Sequence, residues 1–303
     1  MSDSALVIGF GSIGKRHFKI LSDLLGQDNV RVLTNQKNLP INFINSLDKI
    51  PEKINYVVLA NETSKHREYL NFLVDNIDVN KVLVEKPLFD DFYEFDSKGK
   101  SIYVGYNLRF HPLIQKLKNL IAGKEVTAIY CCCHSYLPDW RKERHFSQSY
   151  SSSANGGGVI LDLSHEIDLI LWLFGQINID FVKTGNFSSL DLESEDSMFL
   201  SGHLDNGSPV EISLSYFSTI EKREIHVVTN EETYIVDLIN NIFYSRESSS
   251  KLLMNDLTSF DINKTYIDQH ESILTGNVDE NAILQDGMKI NRFIKQIKLW
   301  NQK

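Results

Sequence analysis

Ala5-Leu6-Val7-Ile8-Gly9-Phe10-Gly11-Ser12-Ile13-Gly14-Lys15-Arg16-His17 is the stretch of sequence that decides the fold. Its apolar run suits a buried parallel strand, and three glycines follow in G-x-G-x-x-G spacing just before a helical pattern. Gly9 allows the tight turn, Gly11 lets the backbone approach a pyrophosphate, and Gly14 lets helix and strand pack closely. Phosphates would sit on free N–H groups at the helix start. The stretch predicts a dinucleotide-binding turn, with flavin, methyl-donor and empty versions left open.

The pattern after this turn alternates strand and helix. Helices are predicted over 13–25 and 66–74, and strands over 30–33, 55–59, 79–84 and 100–104. Such alternation implies right-handed crossovers and a parallel sheet, with ligands at the carboxyl ends of the strands. We therefore predict an α/β Rossmann domain over residues 1–106.

The pattern changes after residue 106. A helix over 113–121, a strand over 126–135, an irregular loop over 137–155, a long apolar helix over 159–174, short alternating segments over 177–244 and a helix over 282–299 are predicted. Asp205-Asn206-Gly207 is a strong hairpin signal between two of the alternating segments. Residues 107–303 are therefore predicted to form an α+β domain with an open, mainly antiparallel sheet that helices cover on one face.

Composition excludes several classes of protein. The 303 residues carry a net charge of −9, which argues against a nucleic-acid partner. Neither a run of about 18 apolar residues nor a signal-peptide pattern occurs, so we expect a cytoplasmic protein with no membrane partner. Cys131, Cys132 and Cys133 are consecutive, which suits neither a disulfide nor the spaced pairs of a zinc site. We read them as small strand residues and predict no metal, with a metal site as the minor alternative.

The segment after the second predicted strand bears on the type of cofactor. NAD sites usually place a carboxylate about 20 residues past the glycines, on the ribose 2′-hydroxyl. Here that place reads Thr34-Asn35-Gln36-Lys37, and no carboxylate lies between Asn29 and Leu47. Nothing would repel a 2′-phosphate, and Lys37 and Arg16 would attract it. We expect NADP or NAD with NADP favoured, and a merely solvated Lys37 stays the alternative.

Glu85-Lys86-Pro87 directly follows the fourth predicted strand. Lys86 would therefore lie at the carboxyl edge of the sheet, and the proline fixes the turn that aims it. A desolvated ammonium there can hydrogen-bond a substrate oxygen or exchange a proton with it. A surface lysine paired with Glu85 is the alternative.

The second chemical motif is the stretch Gly156-Gly157-Gly158 followed by a predicted helix with Asp162, His165 and Asp168. A glycine-rich backbone lets a ligand come close. The spacings of three residues would place a carboxylate on either side of His165 along one helix face. A carboxylate partner orients an imidazole and raises its basicity, which suits a general base. The alternative is a satisfied core histidine.

Taken together, the motifs make the chain resemble the glucose–fructose oxidoreductase and inositol dehydrogenase (Gfo/Idh/MocA) family along nearly its whole length. The matching segments are the glycine turn, Ala60-Asn61-Glu62-Thr63-Ser64-Lys65-His66, Glu85-Lys86-Pro87, Gly105-Tyr106-Asn107-Leu108-Arg109-Phe110-His111-Pro112 and the Gly-Gly-Gly to His-Glu-Ile-Asp helix. A weaker likeness joins Tyr136-Leu137-Pro138-Asp139-Trp140-Arg141 to a subgroup of cell-surface sugar pathways.

This resemblance implies reversible hydride transfer between a nicotinamide and a carbinol or carbonyl carbon of a sugar, cyclitol or sugar nucleotide. It implies that Lys86 polarises the reacting oxygen and that His165 is the acid–base residue. Asp162 lies three residues before His165 where the family often has four, and Glu62 replaces a common proline. The open sheet often serves as an oligomer interface, so we expect a homo-oligomer, dimer or tetramer.

The implied site residues fall into three groups. The catalytic group is Lys86, His165 and Asp162. The cofactor-binding group is Gly9, Gly11, Ser12, Ile13, Gly14, Thr34, Asn35, Lys37, Ala60, Asn61, Thr63, His66, Glu85 and Lys86. The substrate-binding group is Tyr106, Asn107, Arg109, Trp140 and Asp168, with a structural interdomain ion pair as the alternative for Arg109. Two alternative functions stay open: a redox-neutral enzyme with tightly bound nicotinamide, and a non-catalytic nucleotide-binding regulator.

Overall fold

The computed structural model describes residues 4–140, 145–153, 156–247, 253–257 and 259–300. The chain divides into two compact units. The first unit is Met1–Asn107 with Asn263–Asn291, and the second is Leu108–Ile262 with Arg292–Lys303. Residues 263–291, placed in the second domain by the sequence analysis, thus group with the first unit.

The first unit is built on a seven-stranded sheet. Its strands are β1 (Ala5–Ile8), β2 (Val30–Leu33), β3 (Phe43–Ile44), β4 (Lys53–Leu59), β5 (Asp78–Val84), β6 (Ser101–Val104) and β15 (Ala282–Ile283). Their spatial order is β15-β6-β5-β4-β1-β2-β3, parallel throughout except for β15, which pairs antiparallel with β6. The helices of this unit are α1 (Ser12–Leu25), α2 (His66–Asn76), α6 (Asn263–Thr275) and the first half of α7 (Leu284–Trp300).

Burial explains why these segments form a covered parallel sheet. All four residues of β1 are buried, as expected for a strand that helices cover on both faces. Helix α1 buries Gly14, His17 and Leu21, which recur at helical spacing along one face. Ile273 of α6 joins the same apolar core, so the late segment 263–275 completes the first unit.

The second unit is built on an eight-stranded sheet. Its strands are β7 (Val126–Tyr136), β8 (Ile177–Gly185), β9 (Ser197–Leu204), β10 (Pro209–Ser215), β11 (Phe217–Thr229), β12 (Glu232–Asp237), β13 (Ile242–Glu247) and β14 (Leu253–Asp256). Their spatial order is β14-β13-β12-β11-β7-β10-β9-β8, and only the pair of β7 with β10 is parallel among the described residues. The helices are α3 (Pro112–Ile121), α4 (Val159–Asp162) and α5 (Ser164–Phe174).

The predicted fold class, a Rossmann domain followed by a mainly antiparallel α+β domain, is confirmed. The predicted hairpin is present, since β9 and β10 pair antiparallel around residues 205–207. The long helix predicted over 159–174 is wrong in one respect: it is interrupted at Leu163, whose ψ of 30° departs from helical geometry. Helix α6 and strand β14 fall in residues for which no element was predicted, and strand β13 extends beyond the predicted range of 177–244.

Among the residues that the structure describes, no helix combines the length and apolarity needed to cross a membrane.

Candidate functional site

The glycine turn joins β1 to α1, and its three glycines have different surroundings. Gly9 has φ +96°, and a Cβ there would lie 2.6 Å from the carbonyl oxygen of Ala60. A Cβ on Gly14 would lie 2.1 Å from the carbonyl oxygen of Gly9. A Cβ on Gly11 would meet nothing within 4 Å. Packing therefore requires Gly9 and Gly14, whereas Gly11 borders open space that a ligand can occupy.

The N-terminus of α1 offers free backbone donors beside that space. Gly11 is the N-cap residue, no side chain caps the helix, and no acidic residue lies in its first turn, which begins with Ser12 and Ile13. The first N–H groups of a helix have no intrahelical partner and carry partial positive charge. This arrangement suits a phosphate or pyrophosphate.

Asn61 follows β4 at the same carboxyl edge of the sheet, after Ala60, whose N–H donates to the carbonyl of Ile8 at 2.8 Å. Both Nδ2 and Oδ1 of the Asn61 amide are buried, and neither has a hydrogen-bond partner among the described residues. Because buried polar groups nearly always have partners, an amide with both atoms unsatisfied indicates a site that a ligand completes. A nicotinamide nucleotide, which carries both donors and acceptors, fits this site.

His66 binds two strand-end segments to each other. Its Nε2 lies 3.2 Å from the carbonyl oxygen of Asn61, and its Nδ1 lies 3.2 and 3.1 Å from those of Pro87 and Leu88. Burial lowers the pKa of His66. Thr63 begins the short 3₁₀ turn before it. Backbone carbonyl oxygens lie at both ring nitrogens, and a neutral ring donates to them from one nitrogen, so the side chain links these backbone segments.

The segment after β2 lies beside the glycine turn. The Nε2 of Gln36, which the sequence analysis did not single out, donates to the carbonyl of Phe10 at 2.9 Å, while Thr34 Oγ1 accepts from the Gln36 N–H at 3.2 Å. Asn35 and Lys37 are exposed. The guanidinium of Arg16 lies over the ring of Tyr266, 4.9 Å from its centroid.

Glu85 and Lys86 follow β5. The Glu85 carboxylate is buried and lies 2.8 Å from His17 Nε2, and its other oxygen accepts from the Lys86 backbone N–H at 3.2 Å. Gly105 is required beside it, because a Cβ there would lie 2.9 Å from Glu85 Oε1. Lys86 itself is partly buried. Glu85 is thus a fixed part of the sheet edge and not a solvated partner of a surface lysine.

Two predicted substrate residues of the first unit are engaged by the protein. Tyr106 is fully buried. Asn107 is also buried, and its Nδ2 donates to Thr265 Oγ1 of α6 at 2.6 Å. Both therefore lie in the interior of the first unit.

In the second unit, the helix break at Leu163 changes the expected surroundings of His165. Asp162 ends α4 and His165 lies in the first turn of α5, so the two residues do not share one continuous helix face. The Asp162 carboxylate accepts from the hydroxyl of Tyr216 at 2.5 Å and from that of Tyr150. Two tyrosines outside its own helix thus hold the Asp162 carboxylate.

Asp168, the second predicted neighbour of His165, forms a buried ion pair with Arg109. Arg109 Nη2 lies 2.6 Å from Asp168 Oδ1, and Arg109 Nε lies 3.1 and 3.2 Å from the two carboxylate oxygens. The side chains are 3% and 0% exposed. The pair lies within the second unit and is therefore not interdomain, and it joins two residues that the sequence analysis assigned to substrate binding.

The three glycines at 156–158 also differ from expectation. A Cβ on Gly157 would lie 2.2 Å from the carbonyl oxygen of Tyr150, and one on Gly158, at φ +105°, would lie 2.3 Å from Glu195 Oε1. Protein atoms, not a ligand, occupy the space beside Gly157 and Gly158. The expectation that this backbone admits a ligand is therefore wrong at these two positions.

Trp140 is the one predicted substrate residue of the second unit that is substantially exposed, at 39%. Its Nε1 donates to Ser135 Oγ at 3.1 Å, and its ring packs edge-on against Tyr216 with centroids 5.3 Å apart. Its neighbour Arg141 lies outside the described residues. Trp140 thus presents a fixed aromatic surface close to the tyrosine that holds Asp162.

The consecutive cysteines lie on β7, where Cys131 and Cys133 are buried and Cys132 is half-buried. Burial raises the pKa of the Cys131 thiol, so it stays protonated. Within the described ranges, no group of three or more histidine, cysteine, aspartate or glutamate side chains is arranged to hold a metal ion.

The structure thus brings the glycine turn, Asn61, Glu85 and Lys86 to one edge of the first unit's sheet. His165, Asp162, Arg109, Asp168 and Trp140 lie in the second unit. Sequence reasoning missed Gln36, Tyr150 and Tyr216, and it missed the buried partners of Glu85. One sequence signal pointed to the buried partners of Glu85. His17 is spaced with Gly14 and Leu21 so that all three lie on the apolar face of α1.

The fold is a Rossmann-type domain followed by a mainly antiparallel α+β domain. Residues 114–235 match the GFO/IDH/MocA C-terminal domain family, and the predicted resemblance to the Gfo/Idh/MocA family is thereby confirmed. No curated protein sequence matches the chain.

Similar solved structures share the fold over almost the full chain. UDP-N-acetylglucosamine 3-dehydrogenase GnnA from Acidithiobacillus ferrooxidans is 18% identical at a TM-score of 0.77, covering 99% of this chain and 97% of its own. A levoglucosan dehydrogenase in complex with NADH is 14% identical at 0.81, covering 98% and 96%. A super-repressor mutant of Gal80p from Saccharomyces cerevisiae is 16% identical at 0.79, covering 99% and 96%.

Proposed function

We propose that the protein is a nicotinamide-dependent oxidoreductase acting on a carbinol or carbonyl carbon of a sugar, cyclitol or sugar nucleotide. The observation that carries the proposal is the Asn61 amide, buried with both polar atoms unsatisfied beside the glycine turn and the Glu85-Lys86 turn. Two similar structures support it: one is a sugar-nucleotide dehydrogenase, and the other is a sugar dehydrogenase in complex with NADH.

The first unit would hold the cofactor. Backbone N–H groups of Ser12 and Ile13 would bind the pyrophosphate, Gly11 would leave room for it, and Asn61 would bind a polar group of the nucleotide. Thr34, Asn35 and Lys37 would surround the adenosine ribose, with Ala60, Thr63, His66 and Glu85 shaping the rest of the edge. When bound, the nicotinamide supplies or accepts the hydride.

Lys86 and His165 would handle charge and proton. The Lys86 ammonium would hydrogen-bond the reacting oxygen and stabilise negative charge that develops on it. His165 would accept the hydroxyl proton during oxidation and return it during reduction. Because its Nδ1 is buried, Nε2 is the ring nitrogen assigned to this step. Trp140 would contact the substrate through its exposed ring.

Substitution of these two residues tests the reaction. We expect Lys86→Ala and His165→Ala each to lower turnover by about a hundredfold or more while nucleotide binding persists. Turnover is measured by the absorbance of reduced nicotinamide in a screen of sugars and sugar nucleotides, and binding by nucleotide fluorescence. Full turnover in both variants would exclude the assignment.

The preference for NADP over NAD is a separate proposal. It rests on the lack of a carboxylate after β2 and on the exposed Lys37. Lys37→Ala is expected to weaken NADPH binding by up to about fivefold and to leave NADH binding unchanged, since one exposed charge pair contributes up to about 1 kcal/mol. Tighter binding of NADH than NADPH by the unmodified protein would contradict the preference.

A homo-oligomer assembled through the open sheet face is proposed on the same basis. Tyr130, Phe181 and Phe199 lie on that face and are 45%, 49% and 40% exposed. An apolar patch of this kind marks an interaction surface. Light scattering on the purified protein distinguishes a dimer or tetramer from a monomer.

Two alternatives have specific tests. The similarity to a Gal80p super-repressor mutant supports a non-catalytic regulator, which would bind nucleotide but show no turnover with any substrate. A redox-neutral enzyme would retain copurifying nicotinamide that does not exchange with added nucleotide.

A further inference from the structure

A buried chain of hydrogen bonds in the first unit ends on Glu85. Tyr56 Oη lies 2.9 Å from His270 Nδ1, His270 Nε2 lies 2.8 Å from His17 Nδ1, and His17 Nε2 lies 2.8 Å from Glu85 Oε1. Tyr56 comes from β4, His270 from α6 and His17 from α1, and none of the three is more than 1% exposed. These three residues are called the Tyr56–His270–His17 chain below.

The chemistry of the four groups sets one direction for this chain. With Glu85 as a carboxylate, which only accepts, His17 must donate from Nε2. The Nδ1 of a neutral His17 then accepts from His270 Nε2, and His270 Nδ1 accepts from the Tyr56 hydroxyl. Burial lowers the pKa of His270 and raises that of Tyr56, so both are neutral. Both histidines are therefore Nε2–H tautomers, and every donor points towards Glu85.

The far end of the chain is fixed as well. Glu85 Oε2 accepts from the backbone N–H of Lys86 at 3.2 Å, and the missing Cβ of Gly105 leaves room for Oε1 but for nothing more. The carboxylate is thus held by His17, by Gly105 and by the start of the turn that carries Lys86. Rotation of the Glu85 side chain would break its hydrogen bond to the Lys86 backbone.

We propose that the Tyr56–His270–His17 chain is a positioning device for the Glu85-Lys86 turn. It keeps Glu85 in one orientation, and it thereby aims Lys86 and completes the cofactor edge; this rests on the proposed function. Burying two imidazoles and a phenol costs free energy unless each is paired, and apolar side chains would fill the same core without that cost. The presence of three linked, buried polar groups that end on Glu85 is explained if the Glu85 carboxylate must keep one orientation.

Among the described residues, four groups face Glu85. They are His17 from α1, His66 from α2, Tyr56 from β4 and the adjoining Lys86. Of these, His17 makes a direct side-chain hydrogen bond to the carboxylate. Its removal is therefore expected to free the Glu85 side chain from its fixed orientation.

The first test reads the tautomers directly, in the full chain without any ligand. Nitrogen-15 NMR of histidine-labelled protein near neutral pH is expected to show His17 and His270 as neutral Nε2–H rings. Signals are assigned by their loss in His17→Gln and His270→Gln. An Nδ1–H tautomer or an imidazolium at either position would overturn the proposed direction of the chain.

The second test measures binding of NADH and NADPH by fluorescence. His17→Leu removes the donor, whereas His17→Gln keeps an N–H that can reach Glu85. We expect His17→Leu to weaken binding about tenfold. His17→Gln is expected to restore most of the affinity, and Tyr56→Phe to weaken binding less than His17→Leu does.

Tyr103→Phe is the matched control, because Tyr103 is a buried tyrosine on β6, two strands away from β4, and makes none of the three hydrogen bonds of the chain. It is expected to leave nucleotide binding unchanged. Unchanged binding in His17→Leu, or weakened binding that His17→Gln does not restore, would overturn the proposal. If the unmodified protein binds neither nucleotide, the proposed function fails, and the tautomer measurement alone decides the inference.

Discussion

Removal of Arg109 distinguishes a structural ion pair from a substrate ligand. Arg109 contacts Asp168 through both Nε and Nη2, with the shortest distance at 2.6 Å, and its guanidinium lies 5.0 Å from the ring centroid of Trp172. Arg109→Met keeps most of the side-chain volume but leaves Asp168 buried at 0% exposure without this partner. Breaking a buried pair from one side costs about 3–5 kcal/mol. We expect a loss of that size in the free energy of unfolding.

The double variant Arg109→Met/Asp168→Leu separates two quantities. One is the contribution of the ion pair to the free energy of unfolding, and the other is the cost of leaving one charge buried without a partner. Replacing both partners by apolar groups is often close to neutral, so most of the lost stability is expected to return. The difference between the double variant and the sum of the two single variants then gives the coupling energy of the pair.

Urea unfolding followed by tryptophan fluorescence is the suitable assay. The three tryptophans, at 140, 172 and 300, all lie in the second unit, so their emission reports the unfolding of the unit that contains the pair. The reasoning is refuted if Arg109→Met unfolds at the same urea concentration as the unmodified protein while substrate binding is lost. That result would assign Arg109 to the substrate pocket.

Two further predictions concern the glycine turn and His111, the N-cap residue of α3, whose side chain accepts from the Leu113 N–H. Gly11→Ala should fold normally and weaken nucleotide binding, whereas Gly14→Ala should lower thermal stability because its Cβ would lie 2.1 Å from the Gly9 carbonyl oxygen; equal melting temperatures would contradict this. Burial lowers the pKa of His111 to about 4 from 6.5. The unfolded chain therefore takes up a proton first, and stability falls as the pH drops from about 6.5 towards 4, by up to about 3 kcal/mol. His111→Asn keeps a capping acceptor but cannot take up a proton in this pH range. Urea unfolding of this variant at several pH values should show no such loss of stability between pH 6.5 and 4. An unchanged pH dependence would exclude His111 as the source of the loss.

The first unit could be predicted in detail because its signals are local. A buried apolar run followed by spaced glycines specifies a strand, a turn and a helix start within about a dozen residues. Strand β2 occupies 30–33 as predicted, and β9, over 197–204, lies within the range of 177–244 predicted to form short alternating segments. The positions of Asn61 and Lys86 at one sheet edge also follow from local information, since the carboxyl ends of parallel strands meet there.

Long-range contacts account for what the sequence could not show. Residues 159–168 contain neither glycine nor proline, so the sequence gives no signal for the helix break at Leu163. Helix α6 has a polar sequence with few apolar residues, and its burial arises from contacts with strands more than 150 residues earlier, such as that of Gln269 with Val104. The Tyr56–His270–His17 chain joins residues up to 253 positions apart, which no spacing rule connects.

The glycine turn and the glycines at 156–158 show that one residue type has different structural roles at different positions. At Gly11 the space beside the backbone is open, and at Gly157 it is filled by carbonyl oxygens of residues 150–153. Both clusters precede a helix, so composition and position alone assign them the same role. What separates them is which atoms a Cβ would meet, and at Gly158 that atom belongs to Glu195, 37 positions further along the chain. Gly11 therefore borders space that a ligand can occupy, whereas the protein's own atoms fill the space beside Gly157 and Gly158.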